Sequence, residues 1–321
     1  MAIIAAENKS AHRLVASMST PSATRRRNPG PSWGYGFLRA VDFLLPEFVY
    51  KPIRGIGTLI AMAFMPAQRR HSREYLALAL NRRPTTRDVF RHFFAFEESL
   101  MTKLRVLNGR PHKTVYAPGA DDARQWMENG GPAFLGTFHV GDSDLQGFLI
   151  GDELHARVHN KVHIVRERVG NSHDTEKLAE KFGGRIEFIW VNDPREMIYA
   201  MKDAALTDNA IALQCDRCEH SARTAEFDFL GVRRRFPITI YILAAIFKRP
   251  VILTFGVPQT PGLAVLHSPP RFDPIPGEPR SATLARGQKH FQDFLHHLEK
   301  ILREKPYVWF NFLPWNSKPS E

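Results

Sequence analysis

The chain has 321 residues, 43% of them hydrophobic, enough for one large domain or two small ones around a real core. Lysine and arginine outnumber the acids 44 to 33, and the resulting net charge of +11 points to an anionic partner: nucleic acid, an anionic membrane surface or an acidic carrier protein. Two cysteines exclude a disulfide scaffold, and the lack of a zinc finger, an RNA-recognition signature or a base-reading basic helix sets nucleic acid aside.

Residues 1–32 are rich in Ser, Ala, Pro and Arg, with Arg25-Arg26-Arg27 followed by Asn-Pro-Gly-Pro, and read as a disordered basic tail. The apolar run at 2–6 is too short for a signal-peptide core and its basic residues follow it, so no secretion is expected. Residues 33–65 are apolar but interrupted by Arg39, Asp42, Pro46, Glu47, Lys51 and Arg54. Neither half reaches the roughly 20 clean apolar residues that span a bilayer, and two amphipathic segments lying on a membrane surface are expected, with a pair of helices packed on the main domain as the alternative. Residues 66–107 complete a helical, basic, membrane-proximal region. It carries Arg69, Arg70, Arg73, Arg82, Arg83, Arg87, Arg91 and Arg105. Thr85-Thr86-Arg87-Asp88 is placed to cap a helix running through Phe90, Phe93, Phe94, Phe96, Leu100 and Leu104.

From 108 to the C-terminus the pattern changes. Strands are expected over 115–117, 133–138, 162–165, 186–190, 210–213 and 251–255. Helices are expected over 121–129, from 145, and over 173–182, 194–206 and 237–247. This alternation predicts an α/β domain with a mostly parallel central sheet flanked by helices. Sites in such sheets form outside the C-terminal ends of the strands. Three of those ends carry chemistry: His139, Arg166 with Arg168, and Asp216 with Arg217.

His139 ends a buried run and is followed by Asp142 and Asp144. An acid on one ring nitrogen fixes the tautomer and leaves the other free to take a proton. On a regular helix His139 and Asp144 would not share a face, so their pairing requires a loop–helix junction at His139. Asp142 competes for the same role. No G-x-S-x-G elbow occurs and neither cysteine sits in a nucleophile motif, so the base is expected to activate a substrate hydroxyl. Cys215 and Cys218 lack a second pair to complete a zinc site, and His155, His159 and His163 lose their shared helix face because 162–165 reads as a strand. No metal or cofactor is expected. Arg233-Arg234-Arg235, after Phe227-Asp-Phe-Leu-Gly231, suggests contact with phosphate or an acidic protein.

Several of these residues form an ordered series. His139-Val-Gly141-Asp-Ser-Asp144 resembles the H-x4-D/E signature of the lysophospholipid acyltransferase superfamily, in the form used by its lipid A late acyltransferase-like branch. Asp216-Arg217, Phe229-Leu-Gly231, Phe236-Pro237, Pro250-Val251 and Pro306-Tyr-Val-Trp-Phe-Asn-Phe312 are similar to later motifs of that branch, in the same order. Asp144 stands where the branch usually has Glu. The resemblance implies a glycerol-3-phosphate acyltransferase-like fold. It also implies acyl transfer from an acyl carrier protein or CoA thioester to a hydroxyl of a lipid, glycolipid or related amphiphile, at the cytoplasmic face of a bacterial inner membrane. His139 and Asp144 would be catalytic; Arg166, Arg168, Asp216, Arg217, Phe229, Gly231, Arg233 and Arg234 would bind substrate. From charge alone, an acidic carrier is expected to dock near 233–235 or 69–91. The alternative on the same fold is a non-catalytic module that binds lipid or acyl carrier protein.

Overall fold

The computed structural model describes residues 40–42, 44–143, 145, 161–167, 185–192, 194–218, 221 and 223–315. Asp144, Arg168, the basic tail, residues 33–39 and the helices expected after Leu145 and over 173–182 lie outside these residues.

Three helices come first: α1 (Glu47–Phe64), α2 (Pro66–Ala79) and α3 (Thr86–Leu107). The expected cap is present on α3: the Thr85 hydroxyl accepts from the Asp88 N–H, and Asp88 accepts in return from the Thr85 N–H at 2.8 Å. Then follow β1 (Lys113–Tyr116), α4 (Asp121–Asn129), β2 (Phe134–Gly141), β3 (Val162–Arg166), β4 (Ile186–Trp190), α5 (Pro194–Ala205) and β5 (Ala210–Gln214). The chain continues through β6 (Thr224–Phe229), β7 (Val232–Pro237), α6 (Thr239–Phe247), β8 (Val251–Thr260), β9 (Leu263–His267) and α7 (Arg280–Glu304).

Seven strands form one sheet in the order β1-β9-β8-β2-β5-β3-β4, parallel throughout except for the β8–β9 pair. The domain is therefore α/β with a mostly parallel sheet, as its alternating pattern predicts. β2 and β5 are central, which is why both are apolar without alternation. One face of the sheet carries the main core, where Phe134, Phe138, Phe255, Phe291, Phe294 and Leu298 interlock. The other carries a smaller cluster, with Trp126 and Met127 of α4 over Leu135, Ala212 and Ile252. α6 is apolar all round and correspondingly buried, between the sheet and α7.

Two stretches differ from expectation. Residues 224–237 form a separate antiparallel hairpin, β6–β7, closed by Leu230 (φ +54°) and Gly231 (φ +80°). Positive φ at both turn residues gives the turn whose twist matches the flanking strands. β2 runs through His139 to Gly141, so His139 lies on a strand and not at a loop–helix junction.

Candidate active site

The site is a product of strand register. β2 and β5 pair in parallel with Phe134 opposite Ile211 and Thr137 opposite Gln214. Continued two residues further, that register places His139 beside Asp216. The side chains meet there: His139 Nδ1 lies 2.7 Å from Asp216 Oδ1, and the His139 backbone N–H donates to Oδ2 at 2.9 Å. A third donor, the indole Nε1–H of Trp309, reaches Oδ2 at 2.9 Å.

Asp216 is almost fully buried. Burial alone would raise its pKa, but the adjacent His139 by charge and hydrogen bond, then the Arg217 charge and the Trp309 hydrogen bond, hold it well below the usual carboxylate range. An ionised Asp216 makes Nδ1 of His139 the donor, which leaves a lone pair on Nε2. Among the described residues Nε2 has no hydrogen-bond partner.

The end of β2 is shaped by Gly141. Its φ is +51°, and a Cβ there would lie 2.4 Å from both the Gly256 oxygen and Pro258 Cδ. Only glycine fits. β2 shifts register against β8 between Thr137 and Gly141, where Gly141 meets Gly256, and residues 308–310 also pair with this end. Gly141 N–H donates to the Val308 oxygen and Phe310 N–H to the His139 oxygen, both at 2.7 Å. Residues 308–310 thus form an added edge along the His139 end of β2.

A pocket opens beside His139, lined by Phe96, Ser99, Leu100 and Lys103 of α3, by Gly141, Asp142 and Leu145, and by Phe310. Phe96 and Phe310 meet edge-to-face at 5.3 Å and give it an aromatic wall. Nearby nucleophiles are engaged. Ser99 Oγ donates to the Gly141 oxygen at 3.0 Å, and Ser143 Oγ donates to the Val140 oxygen while accepting from Gly256 N–H. Burial, with the Asp216 charge beside it, pushes the Cys215 thiol well above its ordinary value, the opposite of an activated thiolate.

The other residues singled out from sequence fall in three places. Arg217 is half-buried beside Asp216. Arg166 closes β3 on the same edge of the sheet, and no described contact joins it to His139. The hairpin residues separate: Gly231 forms the turn, Phe229 is buried edge-on against Trp309 at 5.3 Å, and Arg234 is buried beneath the same indole at 4.4 Å. Arg233 and Arg235 point outward, each against an acid on β6: Asp228 and Glu226, at 3.3 Å. The Arg-Arg-Arg run is therefore one internal strut and two neutralised surface charges. Asp142 is buried, with its carboxylate 3.6 Å from the enclosed ring of His112.

Sequence reasoning placed His139 and Asp216 at the ends of two strands but did not pair them, because their contact depends on strand order and register. It gave Trp309 no role. The only local sign was an aromatic segment after the last helix. No family model matches this chain, and no curated protein matches its sequence.

Proposed function

We propose that the protein is an O-acyltransferase that moves an acyl chain from an acyl-carrier thioester to a hydroxyl of an amphiphilic acceptor at a membrane surface. One observation carries the reading: an oriented histidine, tied to a buried carboxylate through Nδ1, faces an apolar-walled pocket whose one serine, Ser99, is already hydrogen-bonded, while Ser143 and Cys215 nearby are engaged or deactivated. Such a histidine activates a hydroxyl that arrives with the substrate.

His139 Nε2 takes the proton of the acceptor hydroxyl. The alkoxide oxygen attacks the thioester carbonyl, and the carbon–sulfur bond breaks as the tetrahedral intermediate collapses. The thiolate leaves and takes the proton back from His139. Ester and thiol are the products, and no acyl-enzyme forms. Asp216 stabilises the imidazolium that exists between the two proton transfers. Phe96, Leu100 and Phe310 offer the hydrocarbon an apolar wall.

The membrane part of the reading is supported by α1. Its inward residues, Tyr50, Arg54, Thr58 and Met62, recur every four positions and rest on α3, where Arg54 pairs with Glu97 at 3.1 Å. Its outward face is apolar: Phe48, Ile53, Ile56, Leu59, Ile60 and Phe64 are exposed. α2 then turns away at 100° and carries Arg69, Arg70 and Arg73. No single helix among the described residues is long and apolar enough to cross a membrane. An exposed apolar face followed in the chain by an arginine-bearing helix suits seating on an anionic bilayer.

The test is incubation of the purified chain with acyl-carrier-protein and CoA thioesters and a panel of lipid and glycolipid acceptors. Released thiol and acylated product are both measured, with acceptor-free hydrolysis subtracted. Acceptor-dependent ester that disappears in His139→Ala supports the reading; its absence across the panel, or full turnover in that variant, sinks it.

A further inference from the structure

We propose that Trp309 is a positioning residue for His139: its indole N–H, clamped by Arg234, fixes the Asp216 carboxylate and through it the tautomer and aim of the imidazole. The inference rests on reading His139 as the base, but its decisive test requires no turnover.

The geometry is specific. Asp216 Oδ2 receives two donors at 2.9 Å, one from the His139 backbone and one from the indole, while Oδ1 is left to Nδ1 at 2.7 Å. Without the indole the carboxylate would be held only by the residue it has to orient. Trp309 itself has no freedom to drift. It is fully enclosed, with Tyr75 edge-on at 5.0 Å and Phe229 edge-on at 5.3 Å. Its carbonyl accepts from His92 Nε2 at 2.8 Å, and the other nitrogen of that ring is 2.9 Å from Ser72 Oγ. Burial holds His92 down at about 4, so the ring stays neutral near pH 7 and one hydrogen-bonded line runs from Ser72 to the Trp309 backbone.

Arg234 completes the clamp. Its guanidinium lies 4.4 Å from the Trp309 ring and 4.9 Å from the Trp315 ring, and donates to the Asp216 main-chain oxygen at 3.2 Å and the Trp315 oxygen at 3.1 Å. One guanidinium nitrogen, Nη1, is buried with no hydrogen-bond partner. A buried cation with an unpaired donor is costly, so it requires a compensating role. This one ties the backbone of Asp216 to the indole that bonds its side chain. The other charged groups facing the pair among the described residues are Arg217 after β5, and Asp142 and Lys103 across the pocket.

The test is Trp309→Phe in the full chain, which keeps an aromatic ring and removes the N–H. The side-chain nitrogens of His139 are followed by NMR across pH, with His139→Gln for assignment. In the parent protein the neutral ring carries its proton on Nδ1. A carboxylate relieved of one donor is a stronger acceptor, so the pH course and tautomer of the His139 ring signals should differ from the parent's in the variant. If acyl transfer is established, kcat should fall about tenfold, the effect of one hydrogen bond to a charged group, with KM little changed. A midpoint and tautomer identical to the parent's overturn the proposal. If the phenylalanine variant does not fold, benzothienylalanine at 309 keeps the bicyclic shape without the N–H and gives the same two outcomes. A parent protein that transfers no acyl group removes the function proposed above and leaves the titration to decide this one.

Discussion

The region behind His139 and the helix α1 lie on opposite sides of the pocket wall and treat polarity in opposite ways. Behind His139, charged and polar groups are enclosed and tied together: Asp216 to three donors, Arg234 to two carbonyls, His92 to a carbonyl and a hydroxyl. On α1 the charged Arg54 points inward, while Phe48 and Phe64 are 79% and 83% exposed. α7 shows the ordinary pattern for a helix packed on one side only, since Phe291, Phe294, Leu295, Leu298 and Leu302 all face the core. The inversion on α1 is the pattern expected of a face that something other than water covers, whereas the closed polar array is the pattern expected where geometry is held fixed. α3 joins the two, with Glu97 and Met101 against α1 and Phe96, Ser99 and Leu100 along the pocket.

The sharpest way to break the comparison is at the dyad. His139→Ala should lower acyl transfer about 10³-fold, within the range for loss of a general base. Asp216→Asn should lower it about 10²- to 10⁴-fold, because an amide turned toward Nδ1 favours the wrong tautomer. Initial rates, with thermal unfolding as a check on folding, decide both. Next comes the core control: Leu298→Ala on α7 should cost about 2–5 kcal/mol of stability in denaturant unfolding. The paired substitution Ile56→Glu with Phe64→Glu on α1 should cost almost none, yet weaken binding to anionic vesicles at least about tenfold, since each lost apolar side chain accounts for about 1.5–3 kcal/mol when fully buried. A soluble acceptor should still be turned over at the parent rate. Unchanged vesicle flotation would remove the special status of α1.

The smallest effect is a slope in pH. Burial lowers His92 from an ordinary 6.5 to about 4. Between those values the unfolded chain binds a proton that the folded chain refuses, so stability should be full above about pH 6.5 and decline as pH falls to about 4. One such group contributes on the order of 3 kcal/mol to that decline. His92→Gln should flatten its share, read from unfolding midpoints across that window. An unchanged slope would mean that the ring is protonated in place.

What was legible in the sequence follows the range of each interaction. The Thr85–Asp88 cap spans three residues and was visible, as were the apolar central strands. The hairpin was less so: Leu230 adopts a left-handed conformation unusual for its type, and the Arg-Arg-Arg run concealed an in–out alternation that only cross-strand partners assign. Asp142 and Asp144 stood near His139 in sequence, but the acid on Nδ1 among the described residues is Asp216, 77 positions away. Local spacing favours near neighbours, whereas a parallel sheet brings together residues from separate strands at equal height.

That equal height has a kinetic consequence. The His139 amide proton lies on central strand β2 and is bonded to the Asp216 carboxylate, which is almost fully buried, so it is shielded from solvent. Its exchange with deuterium should proceed only as fast as the sheet opens as a whole, whereas amides of exposed turns exchange through local openings. The pair thereby shares the lifetime of the fold itself.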